Sequence, residues 1–106
     1  MFVLAPEADI AGTSFGGTIE IAPTRLNELF GKPEEGDSYK ISGLYIFKDW
    51  GDNVVTLYDY KCTSLYDSYY PDPEELWSSD EPYGFHIGAC TSEIAERFAA
   101  ILSEID

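Results

Sequence analysis

The sequence predicts an α+β domain: a small antiparallel sheet, element order β-α-β-β-β-α, with two helices packed on one face. Three observations predict it. A β-branched and aromatic run at 39–50 is followed by Gly-Asp-Asn and a second such run at 54–61, which is a hairpin pattern. A short helical segment, PTRLNELF, follows directly on the alternating GTIEIA. A capped amphipathic helix occupies 91–106.

Each element has its own reason. Residues 1–16 mix apolar residues with Gly, Ser and Thr, and read as an N-terminal arm or an extra strand. In GTIEIA (17–22), Ile19 and Ile21 alternate around Glu20, as in a half-buried strand. Pro23 suits a first helical turn, Leu26, Leu29 and Phe30 share a face, and Gly31 followed by Pro33 ends the helix. PEEGD is a charged turn. In the 39–50 strand Leu44 and Ile46 lie on one side and Tyr45 and Phe47 on the other, so one face should meet the helices. VVTLYDYK returns as its partner. A long irregular stretch covers 62–82, in which Asp72 and Pro73 open one helical turn, PDPEELW. YGFHIG is a last short strand. The closing helix is capped by Thr91 or Ser92 and carries the stripe Ile94, Phe98, Ile101, Leu102, Ile105. Glu93 and Arg97 are spaced to pair across one turn.

The chain has 106 residues, read as one domain, and such a length buries roughly two thirds of its unfolded surface. At 44% hydrophobic residues it is too apolar for intrinsic disorder. Twenty acids against six Lys and Arg give a formal charge of −14. That charge opposes direct binding to nucleic acid or to an anionic membrane, and favours rapid, salt-sensitive encounter with a basic partner. It also fits a surface tuned only for solubility. Cys62 and Cys90 have no CxxC spacing, so free thiols in a reducing compartment are expected, with one bridge the alternative. MFVLAPEADIAG lacks the basic start of a signal peptide, and a cytoplasmic protein is expected.

Four short motifs, Phe30-Gly31-x-Pro33, Tyr39-Lys40, Tyr58-Asp59-x-Lys61 and Phe85-His86-Ile87-Gly88, resemble those of a loose family of small uncharacterised phage and viral proteins. The match covers about residues 29–105. Where that pattern has a tryptophan between the Asp and the Lys, this chain has Tyr60. The resemblance implies a phage or viral origin, hence the host cytoplasm, and lends no catalytic residue.

No motif assigns an enzyme. GTSFGG (12–17) has no Lys and leads into a strand, which makes it a flexible turn rather than a phosphate cradle. His86 is the only histidine, so no two-His metal site exists, and neither a metal nor a cofactor is expected. As a base His86 would need Asp59 to orient it and Cys62, Cys90 or Ser64 as nucleophile; a hydrogen-bonded structural role is the simpler reading. Adjacent acids such as Glu34 and Glu35 point apart in solvent, and no catalysis is expected from them.

Two binding surfaces are expected. The first is DSYYPDPEELWSSDEPYG (67–84), with six carboxylates, no Lys or Arg, and four large aromatics. Unpaired carboxylates must face water or a cationic partner, and Tyr and Trp are enriched at interface hot spots. The expected contact residues are Asp67, Tyr69, Tyr70, Asp72, Glu74, Glu75, Trp77, Asp80 and Glu81. Their partner would be a basic host protein, one that handles nucleic acid, with carboxylates standing where phosphates would sit. The plain alternative is an acidic loop pinned to the sheet by its aromatics. The second surface is a nucleotide-like ligand pocket from Tyr58, Asp59, Tyr60, Lys61, Tyr83 and His86, with Asp59 and Lys61 on one strand face. A minor virion or assembly protein, packing copies through an exposed sheet face, is a third reading. The oligomeric state is open.

Overall fold

The expected hairpin forms the heart of the sheet in the computed structural model, which describes all 106 residues. The elements run β1 (Val3–Leu4), β2 (Ser14–Ile21), α1 (Pro23–Phe30), β3 (Glu34–Glu35), β4 (Gly43–Lys48), β5 (Val54–Tyr58), α2 (Pro73–Trp77), β6 (Tyr83–Ala89) and α3 (Ser92–Ile105). The architecture is α+β, a six-stranded antiparallel sheet with three helices. Strand order is β1-β4-β5-β6-β2, and β3 also pairs with β4. The expected order thus holds at its centre. The N-terminal segment supplies a two-residue strand on Phe47 and Lys48, and the charged turn supplies another on Gly43 and Leu44. Strands this short carry almost no periodic signal; pairing with β4 creates them.

Register sets the faces. Tyr45, Leu57 and Ile87 stand abreast on β4, β5 and β6, as do Phe47, Val55 and Ala89. All six are buried in one core with Leu26 of α1, Leu76 of α2, and Ala95, Phe98 and Leu102 of α3. All three helices therefore cover one face. Phe30 crosses edge-on to Tyr45 and Phe47, and Phe47 meets Phe98 at 4.9 Å between ring centroids. Fully burying such a side chain contributes about 1.5–3 kcal/mol. α3 can sit close over β2 because a bulge places Gly16 beneath Ala95, where a Cβ would lie 2.8 Å from the alanine's own.

The caps follow the sequence in part. Thr91 Oγ1 accepts from Ile94 N at 3.2 Å, and Gly31, at φ 81°, closes α1. Asp72 stands at the N-cap of α2, but its carboxylate accepts from Ser64 Oγ at 2.6 Å instead of capping. Arg97 turns away from Glu93 and pairs with Asp49 of the β4–β5 hairpin. Asp49 also accepts from Gly51 N, Asn53 N and Asn53 Nδ2, so a tertiary site with preset acceptors takes the guanidinium from a flexible helix neighbour. Cys62 and Cys90 are both free. No helix is long and apolar enough to cross a membrane.

Candidate functional site

The acidic segment is anchored from below. Leu76 is buried in the core, and Trp77 packs on Phe85 and Tyr45 at centroid distances of 5.4 and 6.1 Å. Trp77 Nε1 donates to Ser42 Oγ at 2.9 Å, and Ser42 Oγ in turn donates to Asp59 Oδ2 at 2.8 Å. Asp59 is only 2% exposed, and its carboxylate also accepts from the backbone N–H of Ser42 and of Gly43. Burial pushes the Asp59 carboxyl up, and these donors push it back. Gly43 leaves room for the indole, since a Cβ there would lie 2.8 Å from Trp77 Cζ2. Asp59, Ser42 and Trp77 thus form one chain that ties the 62–82 stretch to the sheet.

The stretch itself is ordered by short bonds. Ser64 N donates to Pro71 O at 2.8 Å, and Tyr66 N and Tyr70 N close successive turns on Thr63 O and Asp67 O. Above these anchors Asp67, Asp72, Glu74, Glu75, Asp80 and Glu81 are all exposed. Tyr69 is 89% exposed and Tyr70 41%. Asp80 accepts from Thr24 Oγ1 at 2.7 Å, joining the segment to α1. The ion pairs of the molecule are Arg25 with Glu28 and Asp106, and Arg97 with Asp49; none involves the acidic segment.

The second expected surface is divided by the fold. β5 ends at Tyr58, and Lys61 takes φ 56°, so strand alternation stops before it reaches Lys61. Asp59 and Lys61 therefore do not share a strand face. Asp59 is used by the Ser42–Gly43 backbone, while Lys61 Nζ lies 5.2 and 5.1 Å from the rings of Tyr60 and Tyr66. Tyr83 packs with the core on the helix side. His86 points to the other face, stacked on Tyr60 at 4.9 Å and 21°, near Tyr58 at 5.7 Å. Phe15 of β2, 4.7 Å from His86 and 59% exposed, completes this row. Phe15 carried no recognisable role in the sequence because the bulge at Gly16 decides its face. Tyr58, Tyr60, His86 and Lys61 do come together there. Beside them, a cleft of about 190 Å³ lies between the arm at Ile10 and Thr13 and the sheet at Leu44, Thr56, Tyr58 and Gly88.

The row is a stacking surface with one cation. Burial lowers the His86 pKa below 6.5, so the ring is neutral at pH 7. Burial likewise raises the Tyr58 phenol and the Cys62 thiol; Cys62 stays protonated near neutrality and donates to Tyr60 O. A thiol held protonated is a poor nucleophile, and Asp59 is turned away to Ser42 and Gly43. No three His, Cys, Asp or Glu side chains converge as a metal site.

No protein-family model matches this chain, and no curated protein matches it. The resemblance to small phage and viral proteins accordingly rests on the four short motifs alone.

Proposed function

We propose that this protein is a small acidic interaction protein that docks on a basic protein surface through residues 67–81. One observation carries the reading: six exposed carboxylates without an ion-pair partner lie on a segment that also presents Tyr69 and Tyr70 to solvent. Carboxylates on an anchored frame lose little freedom on binding, and their field steers a cationic partner. The partner chemistry is a Lys- and Arg-lined groove of the kind that holds a phosphate backbone. A phage or viral inhibitor of a host nuclease or immune effector fits this chemistry and the short-motif resemblance. Trp77 serves this reading as the anchor beneath the surface, while Tyr69 and Tyr70 are the groups available for contact.

The test is a pull-down from host lysate at low and high salt, beside a variant with Asp72, Glu74, Glu75, Asp80 and Glu81 neutralised. The expected result is a basic, nucleic-acid-binding protein held by the wild type, released by salt or added DNA, and missed by the variant. Equal capture by wild type and variant would sink the proposal.

A second reading has one observation in its favour. The Tyr60–His86 stack with Lys61 alongside and Phe15 exposed would take a planar ring carrying an anionic group. A thermal-shift panel of nucleotides tests it, and flat melting temperatures throughout would retire it.

A further inference from the structure

The N-terminal arm crosses the face of the sheet that the helices leave open. β1 lies at one edge beside β4 and β2 at the far edge beside β6, so residues 5–13 must pass from edge to edge. Ala5 N donates to Ile46 O at 2.8 Å. From there to Thr13 the backbone bonds stay within the arm, Ala8 N to Ala5 O and Thr13 N to Ile10 O. The arm is therefore a strap over the sheet that joins none of its ladders until β2 begins. Between strap and sheet is the cleft of about 190 Å³, walled by Ile10, Ile41, Leu44 and Tyr58 and floored by Thr56 and Gly88.

Register explains why the cleft is open. Ile46, Thr56 and Gly88 stand abreast on β4, β5 and β6, and Leu44, Tyr58 and His86 form the next row on the same face. Gly88 contributes no side chain, and a Cβ there would strike Thr56 Oγ1. Thr56 is only 4% exposed, yet its hydroxyl has no hydrogen-bond partner in the protein. No fully enclosed side-chain polar atom of the molecule lacks a partner, so this hydroxyl must open into the cleft. A hydroxyl so deeply placed is costly unless something in the cleft meets it. None of the residues lining the cleft is charged, and the nearby sheet edge carries Glu34 opposite Leu44. An anion entering here would find no counter-charge, on a chain of net charge −14.

We infer that this cleft binds a small uncharged heterocycle of about nucleobase size, its polar edge on the Thr56 hydroxyl and its faces against Ile10, Leu44 and Tyr58. The volume suits one such ring, since a cavity of about 150 Å³ already admits benzene. The lining has the usual division of a ligand site, apolar walls with a single placed polar group that fixes orientation. A purely apolar ring would leave Thr56 unpaired, and a charged one would give up its hydration for nothing. A neutral ring with one donor or acceptor edge avoids both costs. The site is separate from residues 67–81, and it uses neither Lys61 nor the Tyr60–His86 stack.

Amide chemical shifts of the isotope-labelled full chain test it, on wild type and Thr56→Val, titrated with thymine, toluene and thymidine monophosphate. Thymine should saturably shift the amides of the arm at Ile10 and Thr13 and those of Leu44, Thr56 and Gly88, with a Kd of about 1 mM or tighter. Thymidine monophosphate should bind about tenfold more weakly or not at all. Thr56→Val should weaken thymine by about tenfold, the loss of one hydrogen bond, and leave toluene within about twofold. Valine keeps the side-chain shape and removes an unpartnered hydroxyl, so the melting temperature of Thr56→Val should match or exceed that of wild type. A fall of more than about 4 °C would mean that the hydroxyl serves the fold, and would overturn the proposal. So would the absence of any saturable shift with thymine, which leaves the cleft to water. Shifts confined to Tyr60, Lys61 and Tyr66 would move the ring to the stacking row and equally defeat it, as would unchanged thymine affinity in Thr56→Val or tighter binding of the monophosphate.

Discussion

Replacing Asp59 with Ala should destabilise the protein by about 3 kcal/mol. The Gly43 N–H is buried, and leaving it without an acceptor costs about 1–3 kcal/mol. The Ser42 N–H is half-buried, and its loss is smaller. The Ser42 hydroxyl loses its charged acceptor and with it the orientation that receives Trp77 Nε1. Against these losses stands the relief of a carboxylate that burial disfavours. At roughly 4–8 °C per kcal/mol for a domain of this size, the melting temperature should fall by about 12–24 °C. The assay is thermal and urea unfolding followed by circular dichroism, with tryptophan emission reporting on Trp77. Asp59→Asn keeps one acceptor oxygen and should lose about half as much. The pH dependence has a definite sign. Because the folded Asp59 pKa is raised above 3.8, the protonation-linked part of stability is fully present below that pH and is lost as pH rises through the folded value, leaving the acceptor role that Asp59→Ala removes. Asp59→Ala should lack that falling limb. A melting temperature within about 3 °C of wild type, with unchanged emission, would show that the Asp59–Ser42–Trp77 chain does not hold the segment down.

Trp77→Ala should cost about 3–5 kcal/mol in urea unfolding, whereas Tyr69→Ala, 89% exposed, should change stability by less than about 0.5 kcal/mol. Gly43→Ala should cost about 1–3 kcal/mol by pressing a methyl against Trp77 Cζ2 and Pro33 Cγ, read as a lower urea midpoint. His86 titrates below 6.5 in the folded chain, so its contribution to stability is present above pH 6.5 and lost as pH falls through the folded value. His86→Phe should flatten the stability profile in that window; an unchanged slope would mean the ring is solvated.

The strong local signals were legible in the sequence. PTRLNELF begins on Pro23 and ends against Gly31 as its residues required, and the closing helix starts on the Thr91 cap. The 39–61 hairpin was readable from β-branched and aromatic density on either side of Gly-Asp-Asn. Alternation along β4 separated Tyr45 and Phe47 from Leu44 and Ile46, and the helices cover the Tyr45 face. The exposure of the six acids in 67–81 was also legible, because a carboxylate with neither a counter-ion nor a set of converging donors such as Asp59 has stays in water.

Only the tertiary structure decided the roles of individual polar and aromatic residues. Asp59 and Trp77 looked like members of two different binding surfaces, yet they meet through Ser42, seventeen and thirty-five residues away respectively. A hydrogen bond across such a separation leaves no local pattern in a chain. Lys61 left the face of Asp59 because one residue with φ 56° ends the alternation on which face arithmetic depends. Phe15 joined His86 because one extra residue, Gly16, shifts the register of β2. Arg97 chose Asp49 over Glu93 because a turn already bound by Asn53 offered a fixed acceptor. Composition and periodicity determine which residues seek the core and which seek water. Which polar group meets which is settled by packing, since that depends on where distant segments cross.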